Sequence, residues 1–254
     1  MSTPKVTILV PNYRTLELTT LCLRLLRKHT DRKLAEVIVI DNDSQDASTD
    51  YLRSLQWVTL IERPSIPGEA GFVAHAKALD MALQQVNTPY VLSIHTDTLI
   101  KRSDWLTYLL SHIESYPNRA GVGSWKLEKM PWYKRLTRPT GRRSPGHHEF
   151  LYLRSHCALY RMSVIRSLGV KFFEQEATPG KYMHLAMEKA GYEMHFLDEA
   201  ELIDYIAHIN HATMVLNPEM LDRRSAAVRG RRRLQRQLKA LDAEKMLQEV
   251  QWDQ

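Results

Sequence analysis

Apolar and polar positions follow two rhythms along the first 125 residues. KVTILV (5–10) is a short β-rich run closed by Pro11 and Asn12. Between Leu16 and His29 the apolar positions Leu18, Leu21, Cys22, Leu25 and Leu26 recur at the spacing of one helix face. AEVIVI (35–40) is continuously apolar, the pattern of a parallel strand covered on both faces. It stops at DNDSQD, whose Asp and Ser residues favour a turn and suit the cap of a helix beginning near Ala47. WVTLIE (57–62) predicts a third strand, residues 71–85 a further helix, and YVLSI (90–94) a fourth strand. A helix starts at Ser103-Asp104 and reaches about Ser115.

Strands alternating with helices over short connections predict βαβ units and a parallel sheet. In such open sheets ligands bind beyond the carboxyl ends of the strands. Four polar clusters fall there: Pro11-Asn12-Tyr13, Asp41-Asn42-Asp43, Arg63 and His95-Thr96-Asp97. The second half is less regular. Residues 126–149, rich in Pro, Gly, Arg and His, predict a long flexible basic loop. FLYLRSHCALYR (150–161) has a strand pattern, and residues 181–190 predict a helix closed by Gly191. YEMHFL (192–197) and LIDYIAHI (202–209) predict short strands. In the tail, Leu234, Leu238, Leu241 and Met246 share an apolar stripe interrupted at Gly230.

At 254 residues the chain suits one large domain with a C-terminal appendage. No apolar run approaches the roughly 18 residues of a spanning helix, and the N-terminus lacks a secretory pattern. Cys22 and Cys157, far apart in amphipathic segments, fit buried thiols in a reducing cytoplasm. The net charge of +6 is concentrated in two basic stretches, 126–143 and 223–239. Such stretches suit phosphate-bearing ligands or an anionic membrane surface. No nucleic-acid-binding module accompanies them, so nucleic acid is not an expected partner.

Asp97 is the strongest single candidate for chemistry. A carboxylate at a strand end, with a second ligand two residues earlier, can grip a divalent cation such as Mg²⁺ or Mn²⁺. His95 would be a tolerable ligand to Mn²⁺ and a poorer one to Mg²⁺; equally, it could donate to a phosphate or ribose, or simply pack. Asp41 and Asp43 can accept from a base N–H or from sugar hydroxyls, and Tyr13 can stack on a base. DNDSQD also reads as a helix cap, and both readings can hold together.

The segments VTILVPNYR, VIVIDNDSQDAS, GFVAHAKALDMAL with TPYVLSIHTDTLI, and HCALYRMSVIRSLG with KAGYEMHFL occur in an order and spacing that resembles family 2 of the GT-A fold glycosyltransferases, over roughly residues 4–213. The resemblance implies a mostly parallel, Rossmann-like α/β sheet flanked by helices. It also implies transfer of a sugar from a nucleotide-diphosphate donor to a glycan or lipid-linked acceptor, inverting and dependent on Mn²⁺ or Mg²⁺. Within that frame residues 1–125 form the nucleotide-sugar-binding half, 126–215 the acceptor-binding and catalytic half, and 216–254 a basic helical tail.

Carried over by position, Pro11, Tyr13 and Asp41 surround the base with Asp43 close by, and Asp97 is the last residue of the family's Asp-x-Asp. His95 departs from that motif, standing where the family usually has Asp. His208 and His211 resemble a C-terminal histidine that completes the metal shell. The family's acidic pair before the glycine of AGY falls on Pro179-Gly180, which leaves Glu176, and next Glu174, as general base. The basic loop would close over the diphosphate. The family also implies cell-surface polysaccharide or lipopolysaccharide synthesis, and together with the basic tail it places the enzyme in the cytoplasm at the inner face of the plasma membrane. The tail's apolar stripe suits an anionic membrane surface and equally suits packing on the core or on a second subunit as a homodimer. Two rival classes are a nucleotidyltransferase, though PNYRTLEL lacks its glycine-rich phosphate loop, and a non-catalytic sugar-nucleotide-binding protein.

Overall fold

The structure, a computed structural model, describes residues 3–125, 127, 151–174, 178–209, 212–217 and 224–254. Its first half is β1 (Val6–Asn12), α1 (Leu16–His29), β2 (Ala35–Asp41), α2 (Ala47–Ser54), β3 (Thr59–Glu62), α3 (Gly71–Leu83), β4 (Tyr90–Ile94), β5 (Thr98–Ile100), α4 (Trp105–Glu114) and β6 (Arg119–Gly123). Next come β7 (Cys157–Arg161), α5 (Met162–Leu168), α6 (Lys181–Lys189), β8 (Glu193–Phe196), α7 (Glu199–Tyr205), β9 (Ile206–His208) and α8 (Ala212–Leu216). The tail forms α9 (Arg224–Ala240), α10 (Ala243–Gln248) and a short 3₁₀ turn, Val250–Asp253.

Seven strands make the main sheet in the order β3-β2-β1-β4-β7-β6-β8, and β5 and β9 form a separate pair. The β3-β2-β1-β4 half is parallel; β7 lies antiparallel between β4 and β6. The predicted α/β sheet is therefore mostly parallel and flanked by helices. Its continuously apolar strands alternate between two layers. Ile8, Val10, Val37, Val39 and Leu92 face α1 and α4, whereas Leu9, Ile38, Ile40 and Val91 face α3, α5 and α6. On α1, Leu18, Leu21 and Leu26 are fully buried, each such burial worth about 1.5–3 kcal/mol. Both cysteines are buried free thiols. Gly123 is required where β6 meets β7: a Cβ there would come within 2.6 Å of the Cys157 carbonyl oxygen.

Several boundaries differ from the sequence reading. β1 does not stop at Pro11 but continues to Asn12, because by then it pairs only with β2; its register with β4 ends at Leu9, so the missing N–H of Pro11 costs no ladder bond there. Among the described residues of the run at 150–161, only Cys157–Arg161 is strand, since the chain turns through Arg154, whose carbonyl accepts from Cys157 N–H at 3.2 Å. Residues expected to continue a strand from Leu202 instead complete α7, because Asp198 caps it by accepting from Ala200 N–H at 2.7 Å. The basic loop at 126–149 lies outside the described residues apart from Leu127.

The tail helix runs through Gly230 and breaks at Asp242, which has φ 55. Leu234, Ala243 and Met246 are buried in the core, so the apolar side that a partner helix would use is turned onto the chain itself. Arg231, Arg232, Arg236 and Lys239 are exposed. Among the described residues, no helix is long and apolar enough to cross a membrane.

Candidate functional site

β4 is a fully buried strand, and its apolar run delivers His95-Thr96-Asp97 to the carboxyl edge of the sheet. The turn closes with Thr98 N–H donating to the His95 carbonyl at 3.0 Å. β5 then pairs antiparallel with β9, and the register sets Thr98 opposite His208. Ile209 N–H donates to the Asp97 carbonyl at 2.8 Å, extending that lock by one residue. Two segments 111 positions apart thus place an imidazole beside a carboxylate.

The Asp97 side chain is 6% exposed. Its Oδ2 accepts the Ala212 N–H at 3.3 Å. Oδ1 is buried and has no hydrogen-bond partner among the described residues, yet it lies 3.2 Å from His208 Nε2 and 3.8 Å from His95 Nδ1. One ligand atom from each of His95, Asp97 and His208 falls within 4.8 Å of the other two. A buried carboxylate oxygen without a donor is costly by about 1–3 kcal/mol. A cation held between it and two imidazole nitrogens removes that cost, and the donor set fits a divalent ion.

Outer residues fix the rings. Ser155 Oγ lies 3.0 Å from His95 Nε2 and 3.5 Å from Nε2 of His75, on α3. His156 stacks on His208 with centroids 4.3 Å apart, and its Nε2 lies 3.0 Å from Ser124 Oγ. Burial pushes His75 down to about 4. Burial and the neighbouring imidazoles hold His95 well below its ordinary value, and burial followed by His208 does the same to His156. These rings are neutral near pH 7, the state in which imidazole binds metal. Behind the turn, the Cys22 thiol is 3.4 Å from the Thr98 carbonyl, and burial raises it well above the usual thiol range.

A second network joins the ends of β1 and β2. Asn12 Nδ2 donates to Asp41 Oδ1 at 2.7 Å, Ser44 Oγ at 3.1 Å and Ser48 Oγ at 3.0 Å, while its Oδ1 accepts from Thr19 at 2.6 Å. Asp41 is 2% exposed; it also accepts from Thr49 Oγ1 at 2.8 Å and from the Ser44 hydroxyl. The carboxylate left accessible at this strand end is Asp43. In the left-handed region at φ 58, it accepts from Gln45 Nε2 at 2.7 Å and Ser65 Oγ at 2.6 Å, and the Ser65 hydroxyl foremost draws it below the usual carboxylate range. Pro11 is buried and Tyr13 half-buried, with the Arg14 guanidinium 5.2 Å from the Tyr13 ring centre. A cavity of about 560 Å³ opens beyond β2 and β3, lined by Asp41, Asp43, Arg53, Glu62 and Arg63 among others.

Glu174 is half-buried on the segment after α5; Glu176 and His211 lie outside the described residues. The segment is tethered to α3, where Asp80 Oδ1 and Oδ2 accept the Phe172 and Phe173 N–H groups at 2.7 and 2.9 Å.

The family model for glycosyl transferase family 2 matches residues 7–169, which hold the Asn12–Asp41 network together with His95 and Asp97, while His208 lies beyond the match. The chain belongs to glycosyl transferase family 2. No curated protein sequence matches it significantly. Its fold is GT-A, similar to a mannosyltransferase of Pyrobaculum calidifontis in complex with GDP-Man and Mn²⁺, at TM-score 0.62 and 19% identity over 85% of this chain and 61% of that one. S. aureus TarS 1–349 in complex with UDP-GlcNAc is similar at TM-score 0.51 and 19% identity, over 73% of this chain and 53% of that one. This family 2 chain therefore spans between half and two thirds of either structure's length.

Sequence reading brought Asp97, His95 and His208 forward, and the fold gathers them. It missed His75, Ser155 and His156, and named Asn12 only as a member of a strand-end cluster without a role. His156 carried a faint signal, a histidine directly before the buried strand CALYR. His75 carried none, because only the packing of α3 against the end of β4 brings it near, with ring centroids of His75 and His95 4.8 Å apart.

Proposed function

We propose that this family 2 chain transfers a sugar from a nucleotide-diphosphate sugar to a glycan or lipid-linked acceptor, with inversion, using a divalent ion, Mn²⁺ or Mg²⁺. The observation that carries the reading is the buried Asp97 Oδ1, without a hydrogen-bond partner among the described residues, facing His208 Nε2 and His95 Nδ1 at the carboxyl end of β4. Those three residues would hold the ion, and His211 is a further candidate ligand. When bound, the ion offsets the charge that develops on the departing diphosphate.

The chain's own residues supply the rest. The Asn12–Asp41–Ser44 network keeps the β1 and β2 ends rigid, so that Tyr13 can stack on the base and Asp43 can accept from the base or its ribose; Pro11 and Asp41 form the floor. On the acceptor side Glu176, or next Glu174, takes the proton of the acceptor hydroxyl. As it does, that oxygen bonds to the anomeric carbon and the bond to the diphosphate breaks. Asp80 holds the backbone just before Glu174, at Phe172 and Phe173. The exposed basic side of α9 supports a location against an anionic membrane surface, in keeping with a role in cell-surface polysaccharide or lipopolysaccharide assembly.

Titration with UDP, GDP and CDP, with and without Mn²⁺, tests the reading. Metal-enhanced diphosphate binding that disappears in Asp97→Ala is expected; binding indifferent to metal in both proteins would overturn it. In transfer assays, Glu176→Gln is expected to abolish turnover while donor binding persists, and wild-type turnover would remove Glu176 as the base.

A further inference from the structure

The site differs from a pair of carboxylates in a way that bears on which ion it takes. Its donors are one carboxylate oxygen, Asp97 Oδ1, and two imidazole nitrogens, His95 Nδ1 and His208 Nε2, within 4.8 Å of one another. A hard ion such as Mg²⁺ is held chiefly by charge, prefers oxygen and loses its waters reluctantly. Replacing one carboxylate by a neutral ring removes a full negative charge from its shell and offers nitrogen instead. First-row transition ions recover that loss through bonding to the imidazole lone pair, increasingly along the series from Mn²⁺ to Cu²⁺.

The surrounding hydrogen bonds point the same way. His95 Nε2 lies 3.0 Å from Ser155 Oγ, which directs Nδ1 and its lone pair at Asp97. His208 is held flat against His156 at 4.3 Å, and that ring is tied to Ser124 at 3.0 Å. His95 Nδ1 is thus presented by a hydrogen-bonded ring and His208 Nε2 by a stacked one, whose Nδ1 is buried without a hydrogen-bond partner among the described residues.

Resting on the metal-site reading above, we propose that His95 makes this a nitrogen-rich centre selective for first-row transition ions over Mg²⁺.

Metal-stripped full-length protein tests this without donor or acceptor. Co²⁺ titration followed by visible absorption should give d–d bands that Mg²⁺ at about hundredfold excess fails to bleach. Pulsed EPR of the Mn²⁺-loaded protein should show coupling to two imidazole nitrogens. In His95→Asp one nitrogen coupling should remain, and Mg²⁺ should displace Co²⁺ at about tenfold lower concentration, with Ser155→Ala weakening Co²⁺ binding by about tenfold. Circular dichroism and melting temperature establish that each variant is folded. Three results would overturn the proposal: equal competition by Mg²⁺ in the wild type, an unchanged Mg²⁺ to Co²⁺ ratio in His95→Asp, or no nitrogen coupling. Absence of any bound ion would overturn the metal site as well, while the transferase reading would still stand or fall on its own transfer assay.

Discussion

His208 Nε2 lies 3.2 Å from Asp97 Oδ1 because Thr98 and His208 are register partners across β5 and β9. The contact therefore depends on a three-residue strand pair. His208→Ala leaves that backbone pairing intact but removes one nitrogen from the donor set. It should lower Mn²⁺ affinity at least as much as the roughly 10–100-fold that loss of an outer-shell partner costs. Calorimetric titration of the folded variant checks this, and unchanged affinity would remove His208 from the site.

Asn12 joins β1, β2 and α1 through one buried amide that donates to Asp41, Ser44 and Ser48 and accepts from Thr19. Asn12→Ala strands Asp41 in a 2% exposed position without its 2.7 Å donor. Leaving a buried charged acceptor short of partners costs about 1–3 kcal/mol, and more than one group is affected here. Urea unfolding should show a loss of about 3 kcal/mol. A loss under about 0.5 kcal/mol, the range of an ordinary surface change, would mean that water replaces the amide.

Most of the parallel half of the sheet was legible because two-sided burial writes itself as runs such as AEVIVI and YVLSI. The other half was legible in part: β7 and β8 fall within the runs at 150–161 and 192–197 that read as strands, whereas β6 was not read. The turn at Arg154 and the Asp198 cap were missed because they depend on single hydrogen bonds that leave hydrophobic spacing unchanged. The same division holds at the site. Asp97 and His95 are adjacent to a strong strand signal, so their place follows from it. The burial of His75 beside them comes from helix packing, and the near-complete enclosure of Asp41 follows from side chains at 12, 44 and 49 converging.

Asp80 accepts two successive backbone N–H groups, from Phe172 and Phe173. Burial nevertheless dominates and pushes its carboxyl up to about 6 from 3.8. A carboxyl with a raised folded-state value binds protons more readily folded than unfolded. Its stabilising contribution is thus full below about pH 4 and is lost as pH rises through about 6. Relative to Asp80→Asn, whose side chain does not titrate, the wild type should lose about 2 kcal/mol of unfolding free energy between pH 4 and pH 7. Parallel unfolding curves at the two pH values would contradict it.

Arg24, 5% exposed on α1, holds the C-terminal segment through two kinds of contact. Its Nε and Nη2 reach both oxygens of Asp253 at 2.8 and 2.5 Å, and Nη1 donates to the Leu247 carbonyl at 2.5 Å and to that of Met246 at 3.3 Å. Tyr51 adds a hydroxyl to Asp253 at 2.8 Å. The guanidinium thus closes the end of α10 and anchors the turn after it. Breaking a buried pair by removing one partner costs about 3–5 kcal/mol, and the Asp253 side chain, at 23% exposed, regains some water. Arg24→Met, which keeps the packed volume, should therefore cost about 2 kcal/mol. It should also raise hydrogen exchange across residues 246–253 selectively, with Mn²⁺ affinity at Asp97 unchanged. Uniformly raised exchange would identify Arg24 with general core stability, and unchanged exchange would show that the remaining contacts, such as Arg27 with the Gln254 carbonyl and Lys28 with Glu249, hold the segment without it.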